Sequence, residues 1–134
     1  MTSLGIDRLI DSTPDRIWSA LTDPSQLVVW WWPHLDNTVE IELQVGGSYR
    51  FVGPKAGIAV SGHYLEVAPP QRLAFTWRWD GEDRVSQAAF ELHSEPGGGT
   101  LLTVVHIGLA DREERDNHIQ GWTDCLDRLG LYVR

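Results

Sequence analysis

The chain has 134 residues, of which 42% are hydrophobic and 22% charged, an ordinary globular composition for a length that suits one folded unit, here spanning 1–134. Its formal net charge is −8, and its eleven Lys and Arg are scattered among acids, as in "DREERD", so neither a nucleic-acid backbone nor an anionic membrane surface is an expected partner. The single cysteine, Cys125, excludes an internal disulfide and fits a reducing compartment.

The N-terminus shows no basic segment followed by an apolar one, so a cytoplasmic location is expected. The longest apolar run is "LVVWWWPHL", Leu27 to Leu35, interrupted by Pro33 and His34. It is far below the ~20 residues needed to span a bilayer.

In chain order, "LGIDRLIDS" alternates Ile6, Arg8 and Ile10 against Asp7, Leu9 and Asp11, which predicts a first strand. "STPDRIWSALTD" predicts a helix, with Ser12 or Thr13 as cap, Pro14 in the first turn, and Ile17, Trp18 and Leu21 as its apolar stripe. "DPSQLVVWW" predicts a second short helix capped by Asp23. From Val39 the period becomes two. "VEIEL" and "SYRF" read as strands around a tight turn at "VGG", and "IAVSGHYLEV" as a longer strand ended by "APPQ".

"RLAFTWRWD" is the clearest strand, with Leu73, Phe75, Trp77 and Trp79 on one face. "RVSQAAFELHS" and "TLLTVVHIGL" complete an antiparallel meander. A final helix of about 22 residues, ~33 Å long, carries Ile119, Trp122, Leu126, Leu129 and Val133 at helical spacing, flanked by Cys125 and Tyr132. Gly121 and Gly130 within it predict a close approach or a bend. The class is α+β, with about six to seven strands and helices on one face.

Three consecutive tryptophans on a helix, ~100° apart, cannot all face one core. At least one of Trp30, Trp31 and Trp32 is therefore expected at the surface or in a cavity. One reading makes Trp30 core, Trp31 a lid and Trp32 surface; the other sets Trp31 or Trp32 at a cavity mouth. Trp77 shares a core face with Leu73 and Phe75, whereas Trp79, near the strand end, suits a pocket rim. Trp122 is expected to face inward. Tyr64 and Glu66 share a strand face, and a buried Glu66 would need Arg50 or Arg78. His106 lies on the inward face with Leu102 and Val104, most simply as a core residue. It is also the single catalytic candidate, because an imidazole in an apolar cavity can move a proton. The five histidines show no HxxxH or HExxH spacing and the lone cysteine offers no thiolate cluster, so no metal is expected, and no motif implies a cofactor.

This order of elements resembles the helix-grip, START-like superfamily, also called SRPBCC, and within it the group related to the activator of heat-shock protein 90 ATPase. The resemblance rests on "TPDRIWSALTDPSQLVVWWWP" (Thr13–Pro33), "VGGSYRF" (Val45–Phe51), "SGHYLEVAPPQRLAFTWRW" (Ser61–Trp79), "GGTLLTVVHIGL" (Gly98–Leu109) and "GW" with "LDRLGLYV" (Gly121–Val133). It implies a curved antiparallel sheet wrapped on a long C-terminal helix, with a cavity between them. Relatives hold lipids, sterols, polyketides or plant hormones there, and some catalyse cyclisation. Relatives often carry a histidine where His106 stands, and two aromatics followed by a smaller residue at 30–32, from which Trp32 departs. The chaperone activator has a further N-terminal domain for which these 134 residues leave no room, so the resemblance does not carry a chaperone partner over with it.

Three functions follow. The favoured one is a binding module for a hydrophobic or aromatic small molecule, contacting Trp31, Trp32, Tyr64, Glu66, Trp77, Trp79, His106 and Trp122. The second is a pocket enzyme, polyketide cyclase-like, using His106 with Tyr64 or Glu66. The third is a chaperone- or stress-associated interaction domain, which predicts an exposed tryptophan patch and a filled interior. Exposed tryptophans would also suit a homodimer contact.

Overall fold

A computed structural model describes residues 2–134. It contains β1 (Thr2–Ile10), α1 (Pro14–Thr22), α2 (Pro24–Trp30), β2 (Thr38–Ile41), β3 (Ser48–Gly53), β4 (Ile58–Ala68), β5 (Arg72–Trp79), β6 (Ser86–Ser94), β7 (Thr100–Leu109) and α3 (Arg112–Val133). The seven strands form one curved antiparallel sheet in the order β1-β7-β6-β5-β4-β3-β2. Strands β2 to β7 are a meander joined by short turns, and β1 closes the far edge by pairing with β7 from Thr2↔Leu109 to Ile10↔Thr100. This is the expected α+β helix-grip arrangement.

Helix α3 starts at Asp111, whose carboxylate accepts from Glu114 N at 2.9 Å, with Glu113 and Glu114 in the first turn where the helix dipole favours them. It buries His118, Trp122, Cys125, Leu126, Leu129 and Val133 against the concave side of the sheet and helices α1 and α2. The stripe matches the predicted one from Trp122 onward; at its start His118 is buried and Ile119 half-buried. Gly121 and Gly130 mark no close approach, because a Cβ at either would meet nothing within 4 Å, and the helix runs unbroken through both.

The "VGG" turn is longer than predicted. Glu42 to Gly47 form a loop that lies beside β4, with Gly46 N donating to Tyr64 O at 2.8 Å and Tyr64 N donating to Gly47 O at 2.9 Å. Gly46 takes a φ of +84°, which glycine adopts readily, and a Cβ on Gly47 would stand 2.1 Å from Glu42 O. The loop pairs with β4 at Tyr64, where β4 and β5 begin to slip register on the way to Glu66.

The tryptophan run corrects the reading that sets Trp32 at the surface. Trp30, Trp31 and Trp32 are all buried, at 3%, 3% and 8% exposure. All three can be buried because the helix ends at Trp30. Trp31 is its cap, and Trp32, at φ −138° and ψ 61°, turns the chain into a 3-10 turn at Pro33–Leu35. Side chains on a turning backbone can converge where those on a straight helix diverge.

Candidate functional site

The site is built around that turn. Asp23 ends α1 and caps α2, its carboxylate accepting from Ser25 N at 3.0 Å. Trp30 Nε1 donates to Ala20 O at 2.9 Å, tying the second helix to the first. At its other end α2 has carbonyls without helical partners, and α3 supplies the donors. Arg128 Nε donates to Trp30 O at 3.0 Å and Arg128 Nη2 to Trp31 O at 2.6 Å. This clamp holds the two rings that follow against the sheet.

Trp31 is the hub. Its ring centroid lies 5.1 Å from Phe51, 5.8 Å from Trp122 and 6.3 Å from Trp77. Trp32 stacks on Trp79 at 6.1 Å with planes 11° apart. Gly53 makes this possible, since a Cβ there would come 3.3 Å from the Trp32 ring and 2.9 Å from Leu35. These rings form the floor of an open cleft of about 610 Å³ between β5, the turn after α2, and the N-terminal half of α3. That volume is in the range of small-molecule sites. Trp31, Trp32, Trp77, Trp79 and Trp122 supply the apolar surface, with Ile58 and Cys125 beside them. The rim carries Glu82, Asp111, Glu113 and Glu114, and the α3 wall adds Asn117, His118 and Gly121.

Behind the floor lies a buried imidazole. His106 has no exposed surface. Its Nδ1 accepts from Trp122 Nε1 at 3.1 Å, so the ring proton sits on Nε2, which donates to Ser86 Oγ at 2.7 Å. Ser86 in turn donates to Trp77 O at 3.4 Å. Burial, and secondarily the neighbouring His118, lower the His106 pKa to about 3, so the ring is neutral. His118 packs 4.6 Å from it, centroid to centroid. Its side chain is about nine-tenths buried, its Nε2 is 4.0 Å from Glu114 Oε1, and it makes no hydrogen bond among the described residues. Burial depresses its pKa, and the Glu114 carboxylate opposes that. Cys125 is also buried, which pushes its thiol up to about 12. The indole N–H groups of Trp31 and Trp77 are buried and lack a hydrogen-bond partner among the described residues.

The structure thus brings Trp31, Trp32, Trp77, Trp79 and Trp122 together in one cleft. It does not bring the other three there. Tyr64 is buried behind it, in a small pocket of about 20 Å³ with Tyr49 and Phe75, where burial raises both tyrosine pKa values. Glu66 does not share its face. The slip in register after Tyr64 puts Leu65 and Glu66 both outside, where Glu66 Oε1 accepts from Arg72 Nε at 2.9 Å. Neither Arg50 nor Arg78 is its partner; Arg50 pairs with Asp80. His106 stands behind Trp77 and Trp122, its nitrogens occupied by protein. His118 was not anticipated, although its place four residues before Trp122 continues the α3 stripe.

A model of the family described as Activator of Hsp90 ATPase homolog 1-like protein matches residues 11–134. The chain belongs to that family. Among solved structures, this member of the Hsp90-ATPase-activator-like family is similar to protein CV1439 from Chromobacterium violaceum, with 26% identity, 99% of this chain and 98% of that one covered, and a TM-score of 0.84. It is similar to CalU16 from Micromonospora echinospora at 31% identity, over 98% of this chain and 75% of that one, with a TM-score of 0.77. PFC0360w, an HSP90 activator from Plasmodium falciparum, shares the fold at 21% identity, over 92% and 89% of the two chains, with a TM-score of 0.76. No curated protein matches the chain. Among the described residues of this family member, no helix is long and apolar enough to cross a membrane, and no three His, Cys, Asp or Glu side chains gather as metal ligands.

Proposed function

We propose that this protein is a cytoplasmic binding protein for a hydrophobic or aromatic small molecule, held between the sheet and the N-terminal half of α3. The observation that carries this reading is the cleft of about 610 Å³ whose floor is five tryptophans. Indoles offer broad, rigid apolar faces to a flat ligand at little conformational cost. The interaction-domain reading called for an exposed tryptophan patch, but six of the seven tryptophans are buried and Trp79 is half-buried. The same burial removes the tryptophan surface that a homodimer contact would have used. In the proposed site His106 is a positioning residue, because its Nδ1 holds the Trp122 ring that forms the cleft floor.

The test is an intrinsic-fluorescence titration with fatty acids, sterols, flavonoids and aromatic polyketides. One class should give saturable quenching or a blue shift. Trp32→Phe, which halves the stacked pair with Trp79, should weaken its binding by about three- to tenfold. Gly121→Leu, which adds a side chain on the cleft wall, should abolish it. A saturable response untouched by both substitutions would place the ligand elsewhere, and no response to any class would refute the pocket.

A further inference from the structure

Resting on that reading of the cleft, we infer the charge of its ligand: an organic cation, a flat apolar body bearing an ammonium or similar group, with the body on the indoles and the charge at the rim. The charged side chains that line the cleft, leaving its histidine aside, are of one sign. The residues that line the cleft include Glu82, Asp111, Glu113 and Glu114, and no lysine or arginine. The start of α3 explains part of this. Asp111 caps the helix, and Glu114 Oε2 accepts from Ala110 N at 2.6 Å, so both carboxylates already serve the backbone. Glu82 cannot be explained that way, since it comes from the turn between β5 and β6 and faces the same opening from the other side. Glu82 and Glu113 are exposed, and neither enters a salt bridge among the described residues.

A second observation is the imidazole beside the carboxylates. His118 lines the cleft and is about nine-tenths buried, and apart from Glu114 Oε1, 4.0 Å from its Nε2, no polar side chain partners it among the described residues. A neutral imidazole offers one unprotonated nitrogen, which accepts from a donor such as an ammonium N–H. The third is the floor. Aromatic faces carry negative quadrupole potential, and indole attracts cations most strongly of the aromatic side chains. Carboxylates, an imidazole acceptor and five indole rings are each compatible with a neutral ligand, but together they repel an anion and attract a cation. The net charge of −8 adds a long-range field of the same sign.

Three probes with one naphthalene body decide the question by calorimetry: 2-naphthylmethylammonium, 2-naphthylmethanol and 2-naphthoate. At about 0.01 M salt the cation should bind about tenfold tighter than the alcohol, and the carboxylate most weakly. At about 1 M salt, where the Debye length is only about 3 Å, the cation's advantage should fall to about threefold or less. The double substitution Glu82→Gln, Glu113→Gln should pull the cation-to-alcohol ratio toward one even at low salt. Asp116→Asn, an exposed acid on α3 outside the cleft lining, should leave that ratio in place. Alcohol or carboxylate binding as tightly as the cation would overturn the charge assignment and leave the pocket standing, as would a ratio unchanged in the double variant. Failure of all three probes, together with the ligand panel above, would overturn the pocket and this inference with it.

Discussion

His106→Gln tests the buried network behind the cleft. The unfolded chain takes up a proton on this imidazole near its ordinary pKa of 6.5, whereas the folded chain does so only near 3. Between those values protons bind the unfolded state preferentially. Stability is therefore full above pH 6.5 and is lost as pH falls toward 3. At about 1.4 kcal/mol per pH unit, the whole window corresponds to about 4 to 5 kcal/mol. By pH 5 the loss is about 2 kcal/mol relative to pH 7.5. Glutamine can accept from Trp122 Nε1 and donate to Ser86 Oγ as the imidazole does, but it does not titrate. Urea unfolding of both proteins at pH 7.5 and pH 5 should show the native chain losing about 2 kcal/mol more than the variant. The carboxylates and the histidines other than His118, which is coupled to His106, contribute to both curves and cancel in that difference. A difference below about 0.5 kcal/mol would refute the argument that His106 is held neutral by burial.

Arg128→Met should cost about 2 to 3 kcal/mol in urea unfolding and weaken the near-ultraviolet circular dichroism of the tryptophans, because it leaves Trp30 O and Trp31 O without their charged donor. An unchanged spectrum would mean the turn holds itself. Gly130→Ala meets nothing within 4 Å inside a helix, so it should stabilise by about 1 kcal/mol and raise the melting temperature by about 3 to 5 °C in calorimetry. A loss of stability there would reveal a tight approach that the geometry denies. The Cys125 thiol, pushed up to about 12 by burial, should resist Ellman's reagent in the folded protein at pH 8 and react at once in urea. Rapid reaction without denaturant would show that the cleft wall opens.

The fold was legible because its signals are periodic. The alternation from Leu73 to Trp79 and the helical spacing from Trp122 to Val133 survive in the structure nearly residue for residue. The site was legible only in part, for two physical reasons. Period-two reasoning assumes an unbroken register, and the slip after Tyr64, with the loop from Glu42 to Gly47 beside it, moved Glu66 to the outer face. Period-3.6 reasoning assumes the helix continues, and α2 stops at Trp30, one residue before the rings that matter. Neither break announces itself locally. Both depend on partners distant in sequence, such as Arg128, which is 97 residues from the Trp31 carbonyl it binds.

Helix α3 divides its labour along its length, which accounts for a cleft in a protein otherwise well packed. From Cys125 onward its inward positions are Leu126, Leu129 and Val133, aliphatic side chains that fill space against the sheet and α1. Before Cys125 they are His118 and Trp122, large planar groups that contact other rings at their edges: Trp77 meets Trp122 at 5.4 Å and His118 at 5.9 Å, centroid to centroid. Edge-to-face assemblies of large rings leave angular gaps that branched aliphatics would close. Replacing Trp32 or Trp79 by leucine should therefore collapse volume as well as remove aromatic surface. The two effects separate in a titration, because lost surface weakens every flat ligand, whereas lost volume excludes the larger ones first. A Trp79→Leu variant that bound large and small members of a ligand series with equal weakening would show that the rings supply contact alone and that the cleft's shape comes from the backbone.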